Sequence, residues 1–416
     1  MPADPTPTAT DYPARLAFMV ELAEHLHAYG TTAQRLEGAL SAVATRLRIE
    51  CEPWSNPTGM ILSFGDPARP TGEGDTTRVI RLPPGDTDLA KLCAVDAIAE
   101  DVMAGRMDLA AGHAALRALE APPTPRQRMA LVLGFGLASA AVAGLLRLPW
   151  LDIATAGATG LLIGMLDLLT IGRPQLREAG EALAGMVAGF VAVLVAALVA
   201  PLNLNTVIIA SLVVLLPGMS LTNAVNELTS QHLVSGTARF SGALATVLKL
   251  TVGTVLALTL AQLLGVEPQV RALRPQPHWM EWAALPVAAV AFALLFRAAR
   301  RDYPVVLLAA IAGYLVSRLA GEAWGSPAGI FLSALLLTAA GNAYARWVQR
   351  PGALVRVPGI IMLVPGSASL RGVISLVQQQ DAAVGGDAVV LVLNILLALI
   401  AGLLFGNVLL PTRRNL

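Results

Sequence analysis

Apolar runs recur along the last two-thirds of the chain, and each is close to the roughly 20 residues a helix needs to cross a bilayer. They predict ten spans, at 129–147, 151–171, 180–200, 204–221, 237–265, 279–297, 304–320, 327–348, 354–376 and 387–410. Before residue 129 the pattern is different. Leu16, Met19, Val20, Ala23, Leu26, Ala33, Leu36, Leu40, Val43 and Leu47 keep helical spacing, and Gly30 interrupts the helix they predict. Two short segments, Gly59–Phe64 and Arg78–Leu82, flank a turn-rich stretch and read as strands of a small sheet. Asp86–Asp88 can cap a helix over Leu89–Ala104, and Leu109–Leu119 reads as another. The expected organisation is a disordered tail (1–13), an α+β domain (14–128), a five-span unit (129–265), a loop (266–278) and a second five-span unit (279–416). The tail has neither a basic region nor an apolar core and does not read as a signal peptide. Pro122, Pro123 and Pro125 mark a hinge.

Composition sharpens this division. Apolar residues make up 55% of the chain and charged residues 14%, with a mean hydropathy of +0.65. A soluble domain carries about 25% charged residues. Residues 1–128 hold 12 Lys+Arg and 17 Asp+Glu, while residues 129–416 hold 17 and 11. This excludes a single soluble enzyme, a disordered chain and a nucleic-acid binder carried by a basic face. Cys51 and Cys93 are too few for a disulfide framework or a metal cage and read as buried thiols.

Arginines in the short loops set the orientation. With the N-terminus inside, Arg126, Arg128, Arg173, Arg177, Arg297, Arg300, Arg301, Arg346, Arg350, Arg413 and Arg414 face the cytosol. Arg147, Arg271, Arg274, Arg318 and Arg371 face out. Both termini are therefore expected in the cytosol. Leu215-Leu216-Pro217-Gly218 recurs as Leu363-Val364-Pro365-Gly366, at an offset of 148, within the fourth span of each five-span unit. An odd number of spans turns the second unit upside down, which is the inverted-repeat plan of many secondary transporters.

A Pro-Gly step breaks a helix, and the chain can restart as one after each break, with free N–H groups suited to a carboxylate. This singles out Pro217, Gly218 and Ser220, and Pro365, Gly366 and Ser367, as binding candidates. Thr222, Asn223 and Asn226 follow the first break and can bond a hydroxyl. Charged groups inside spans are functional candidates: Asp167 and Glu227 for proton coupling, and Glu227, Lys249 and Arg371 for binding. Lys249 is expected near mid-bilayer, where it needs a partner such as Asp167. No phosphate-binding loop, H-E-x-x-H or G-x-S-x-G motif occurs, and the histidines lack metal-ligand spacing. No cofactor, metal or catalytic residue is expected.

Residues 215–244, LLPGMSLTNAVNELTSQHLVSGTARFSGAL, resemble the central signature of the threonine/serine exporter family. Tyr29-Gly30 with Gln34-Arg35-Leu36-Glu37 is similar to that family's Y-G-x4-R-x-E helix, and Pro57-Thr58-Gly59 to its strand-leading turn. Pro351 through VPGIIMLVPGSASLRG (357–372) to Pro411 resembles its second half, which in some bacteria is a separate small membrane protein. The resemblance implies a polytopic helical exporter in a bacterial plasma membrane, with a cytosolic N-terminal domain and efflux of threonine or serine driven by the proton motive force. A homo-oligomer is compatible with it. Split relatives associated with succinate export raise a dicarboxylate as the alternative substrate. A third reading is a membrane-anchored regulatory or hydrolytic protein. The local charge balance at the site discriminates between the two substrates: a zwitterion needs a partner for its ammonium, whereas a dicarboxylate needs a second cation.

Overall fold

A computed structural model describes residues 12–66, 75–272, 274–364, 370, 372 and 382–411. The helical pattern of the N-terminal segment resolves into α1 (Tyr12–Ala28) and α2 (Ala33–Leu47). Between them Gly30 turns the chain at φ +81°, a left-handed conformation that glycine adopts without a Cβ clash. A Cβ there would also lie 3.1 Å from the Thr87 backbone nitrogen. Three antiparallel strands follow in the order β1-β2-β3: β1 (Glu50–Asn56), β2 (Gly59–Gly65) and β3 (Thr76–Arg81). Met60, Leu62 and Phe64 alternate onto one face of the central strand and bury it against the helices. Strand β1 is absent from the sequence expectation because Glu50, Glu52 and Pro53 give it no apolar alternation. It lies at the sheet edge, where proline is tolerated.

The segment closes with α3 (Leu89–Met103) and α4 (Leu109–Ala118). The Asp88 carboxylate caps α3 by accepting from the Lys91 backbone N–H at 2.9 Å. Asp108 caps α4 through Ala111 at 2.6 Å. Cys93 is buried and Cys51 half-buried, and burial pushes both thiols up to about 11. The apolar core here does not stop at the Pro122–Pro125 stretch. Phe18, Leu22, Leu36 and Phe64 belong to one cluster with Ala293, Val306, Ala353 and Leu354. The N-terminal segment is thus seated on the ends of the later helices, and the Leu89 N–H donates to the Phe296 carbonyl at 2.9 Å.

The membrane part begins with α5 (Pro125–Leu145), whose first turn is set by a Thr124–Gln127 capping box and Pro125. There follow α6 (Trp150–Thr170), the short α7 (Pro174–Glu178), α8 (Gly180–Leu198), α9 (Leu204–Ser211), α10 (Gly218–Thr229) and α11 (Leu233–Leu263). Then come α12 (Trp279–Leu295), α13 (Tyr303–Trp324), α14 (Ser326–Trp347), α15 (Ala353–Ile361) and α16 (Ala382–Leu409). Among the described residues seven helices are long and apolar enough to cross a membrane. An eighth crossing exists if α9 and α10, bent by 58° at their break, are one span. The chain is a polytopic helical membrane protein. The expected sixth span is the 17-residue α12, which carries Pro286. The expected ninth starts as α15 and runs into residues outside the description.

Small residues set the packing, as they do where lipid offers no hydrophobic drive between helices. Gly134 faces Leu294 and Leu295 while Gly144 faces Ala284, so α5 and α12 run antiparallel. Gly185 faces Leu250 and Gly189 faces Ala257, so α8 and α11 run parallel. The same holds for α14 and α16, where Gly402 meets Phe331 and Ala334, and Gly406 meets Leu335 and Thr338. The closest approach is at Gly253, where an added Cβ would fall 1.9 Å from the Ala182 carbonyl oxygen. Gly253→Ala should therefore cost about 1–3 kcal/mol through overpacking. Gly242→Ala, on the exposed face of the same helix with nothing within 4 Å, should be neutral or stabilising by up to about 1 kcal/mol. Thermal melts of the two purified variants check the contrast.

Candidate functional site

The first helix break is built as its sequence dictates. Helix α9 ends at Ser211, a short 3-10 turn covers Val213–Leu215, and α10 restarts at Gly218 directly after Pro217. Pro365, Gly366, Ser367 and Arg371, the candidates at the second break, lie outside the described residues.

Two cavities adjoin the first break. One, of about 470 Å³, lies between the two units and is bordered by Leu216 and Gly218 from the first break and by Met362 and Val364 from just before the second. Its walls are mainly apolar, and Asp167 lines it together with Asp86, Arg297 and Tyr314. The other, of about 160 Å³, carries polar groups over about half of its wall. Thr222, Asn223 and Asn226 of α10 line it with Arg356 of α15 and with Thr338 and Asn407 from α14 and α16. The α1–α2 corner (Tyr29 to Thr32, Gln34 and Arg35) forms another side, and Leu89, Leu92, Met219, Ile360 and Leu403 supply apolar contact. The structure thus gathers Thr222, Asn223 and Asn226 around one space. Ser220 is half-buried and lines neither cavity.

The polar cavity holds hydrogen-bonding capacity that the protein leaves unused. Arg356 is 4% exposed; its Nη1 donates to Asn342 Oδ1 at 3.1 Å, and its Nε has no partner among the described residues. The buried hydroxyls of Thr222, Thr31 and Thr32 likewise find no partner among the described residues. Arg35 makes no ion pair with a described residue, and burial pulls its guanidinium down to about 10. No carboxylate among the described residues lines this space. Sequence reasoning passed over both arginines as site residues. Arg35 looks like one turn of an amphipathic helix, and Arg356 like a charge at the mouth of a span.

Glu227 is placed differently from the expectation. It is fully buried, and its carboxylate accepts from Arg239 Nε and Nη2 at 3.1 Å each, from the Ser235 hydroxyl at 2.9 Å and from the Ala33 backbone N–H at 3.1 Å. Ala33 opens α2, so this acid also answers the unsatisfied N–H groups and positive end of that helix. Close by, Glu37 accepts from the Ser55 backbone and hydroxyl at 2.7 and 2.9 Å and pairs with His232 Nε2 at 3.1 Å. Lys249, expected near mid-bilayer with a carboxylate, carbonyl groups or water as its partner, finds a carbonyl and a carboxylate other than Asp167. Its Nζ donates to the Glu178 carbonyl at 2.9 Å and reaches Glu181 at 3.5 Å. The parallel packing of α8 and α11 puts it level with the start of α8, and its side chain is 41% exposed.

Three buried acids that the sequence reading did not single out also anchor spans. Asp152 pairs with Arg271 at 3.0 Å and accepts from the Asn203 backbone and side chain. Asp302 takes both Arg350 amino groups. Glu281 meets Tyr314 and Arg318. Asp152 lies in the first turn of α6 and Asp302 directly before α13; Asn203, just before α9, holds the first and Arg350, just before α15, the second. Their separation of 150 positions was the available signal. In the N-terminal segment, Glu21, His25 and Glu120 bring ligand atoms within 4.8 Å of one another. Glu21 there already has cationic neighbours in His113 at 3.0 Å and Arg117 at 3.6 Å.

The helices and the broken span define a polytopic membrane protein, and comparison with known proteins gives the family. The family model described as "Putative threonine/serine exporter" matches residues 17–261, and "Threonine/Serine exporter, ThrE" matches 281–409. The chain belongs to the threonine/serine exporter family. It is similar to pheromone-regulated membrane protein 10 of Saccharomyces cerevisiae, 25% identical over 90% of this chain and 49% of that protein. The same protein of Zygosaccharomyces rouxii is 25% identical over 90% and 39%. An uncharacterized protein of Schizosaccharomyces pombe is 24% identical over 87% and 48%. The chain spans about half or less of the length of these curated relatives. No solved structure matches it.

The Glu227 cluster makes a stability prediction. Glu227→Ala leaves the half-buried Arg239 and the Ser235 hydroxyl without their partner and should cost about 2–4 kcal/mol. Adding Arg239→Met should recover part of that loss. Thermal melts of the single and double variants in detergent read it, and additive losses would mean the two side chains do not act as a pair.

Proposed function

We propose that the chain is a secondary exporter of small carboxylate-bearing solutes, with no enzymatic step of its own. The observation that carries this reading is the 160 Å³ cavity beside the first helix break, where the Thr222 hydroxyl and the Arg356 Nε have no partner among the described residues. Threonine and serine are the substrates that the family's description names, and Thr222, Asn223 and Asn226 suit a hydroxyl-bearing substrate. A second reading, export of a dicarboxylate, is favoured by one feature. Two arginines and no described carboxylate face the cavity, so a substrate ammonium finds no acid there while a second carboxylate finds a second cation.

Alternating access in this reading uses two inverted five-span units. The antiparallel seam of α5 and α12, the parallel third and fifth spans of each unit, and the matching acids Asp152 and Asp302 support it. The arginine bias supports a plasma-membrane protein with both termini in the cytosol. Cysteine probes near Arg271–His278 should then be labelled from outside intact cells, and probes near Arg300 should not. For proton coupling Asp167 fits better than Glu227. It borders the cavity between the two breaks, whereas the oxygens of Glu227 are already occupied.

Liposomes containing the purified chain test the proposal. Counterflow of labelled threonine, serine or succinate is expected, with accumulation that depends on a pH gradient. Asp167→Asn should abolish gradient-driven accumulation and leave exchange between equal pools. Absence of counterflow for all three solutes would overturn the exporter reading.

A further inference from the structure

The N-terminal segment forms a wall of the polar cavity. Arg35 and Arg356 belong to parts of the chain 321 positions apart, one on the first full turn of α2 and the other on the interrupted helix α15, yet both border the same 160 Å³ space. Both guanidiniums therefore belong to the lining of one small space. Two guanidiniums facing each other without an anion repel, and burial adds the cost of lost hydration. A protein keeps such a pair at a cost unless something else supplies the negative charge. Among the described residues neither arginine has an acidic partner. Glu227, the nearest family of acceptors on α10, is committed to Arg239, Ser235 and Ala33, and Glu37 is committed to Ser55 and His232.

We propose that Arg35 and Arg356 form one bipartite anion site, in which each guanidinium takes one carboxylate of a small dianionic solute and the N-terminal segment contributes directly to substrate binding. The inference rests on the exporter reading of this cavity and adds the residues that would set substrate charge. Guanidinium forks match carboxylates in a bidentate way. The unpartnered Thr222 hydroxyl and the Asn223 and Asn226 amides lie on the same wall, where they can accept or donate to the remaining oxygens. A singly charged carboxylate such as that of threonine would occupy one fork and leave the other unanswered. Removing one arginine should therefore weaken a dianion far more than a zwitterion. The Glu227–Ala33 contact helps to hold α2 against this space, so binding at Arg35 and docking of the segment are linked.

The test is direct binding to the full-length chain in detergent, with succinate, threonine and inorganic phosphate as probes. Arg35→Gln is expected to weaken succinate by tenfold or more, change threonine by less than threefold, and be partly rescued by Arg35→Lys. Arg356→Gln should weaken both organic probes. Amide hydrogen exchange gives a second readout: succinate should slow exchange at residues 30–36 in the wild type and fail to do so in Arg356→Gln. If Arg35→Gln leaves succinate affinity and exchange unchanged while the wild type binds and transports a carboxylate, the bipartite site falls and the exporter reading stands. If the wild type binds neither succinate nor threonine, both fall. If inorganic phosphate binds tighter than succinate and shows the same dependence on both arginines, the site takes phosphate groups, whether free or on lipid, and the dicarboxylate assignment is overturned. A misfolded variant is recognised by loss of its melting transition, and the Lys substitutions at both positions then carry the comparison.

Discussion

A carboxylate with no water around it must be answered by the protein, and at Glu227 the answer comes from three directions. Arg239 and Ser235 reach it from α11, and Ala33 reaches it from the start of α2. Loss of any one donor leaves a buried charge short of partners, so the segment, the helix after the break and the long helix α11 must keep a single relative position. The position of Arg35 follows from it, since Arg35 lies two residues beyond the N–H that Glu227 holds. A contact with no ligand in it thereby decides which groups face the cavity.

Electrostatics divides the charged residues of the membrane part into two kinds. Asp152, Asp302 and Glu281 are each closed off by arginine partners and fix helix ends against one another. Buried pairs of this kind add geometric definition more than net stability. Arg356 and Arg35 are the opposite kind, with donors left over. The contrast is informative because both kinds exist in one chain: the fold is able to satisfy buried charge, and at the polar cavity it does not.

Much of the fold was legible because bilayer-spanning helices announce themselves in long apolar runs. The spans from Pro125 to Leu198 and from Tyr303 to Trp347 fall within a few residues of their expected limits. The break at Pro217-Gly218 was legible for the same local reason, since neither residue supports a helix interior. Strand β1 was not, because an edge strand with Glu50, Glu52 and Pro53 carries no periodic signal. The site was half legible. Thr222, Asn223 and Asn226 follow a visible break, but Arg35 reaches the cavity only through tertiary packing of a segment that reads as a separate domain. Lys249 shows the converse error. Counting residues from a span's start assumes that the span starts at the membrane surface, and α11 begins well before the level at which α8 does.

The polar cavity is assembled from stretches that are far apart in the chain: the α1–α2 corner, the restart after the first break, and α14 to α16. The loop at 266–278 separates the first two from the third, and the two family matches also part there, at 261 and 281. A chain severed in that loop would give two membrane proteins, each holding one of the two guanidiniums. Neither fragment would contain all the walls of the cavity until the glycine-lined seam between α5 and α12 closed. Covalent continuity across the loop therefore fixes a one-to-one stoichiometry of half-sites, which separately made fragments would have to reach by finding one another in the bilayer.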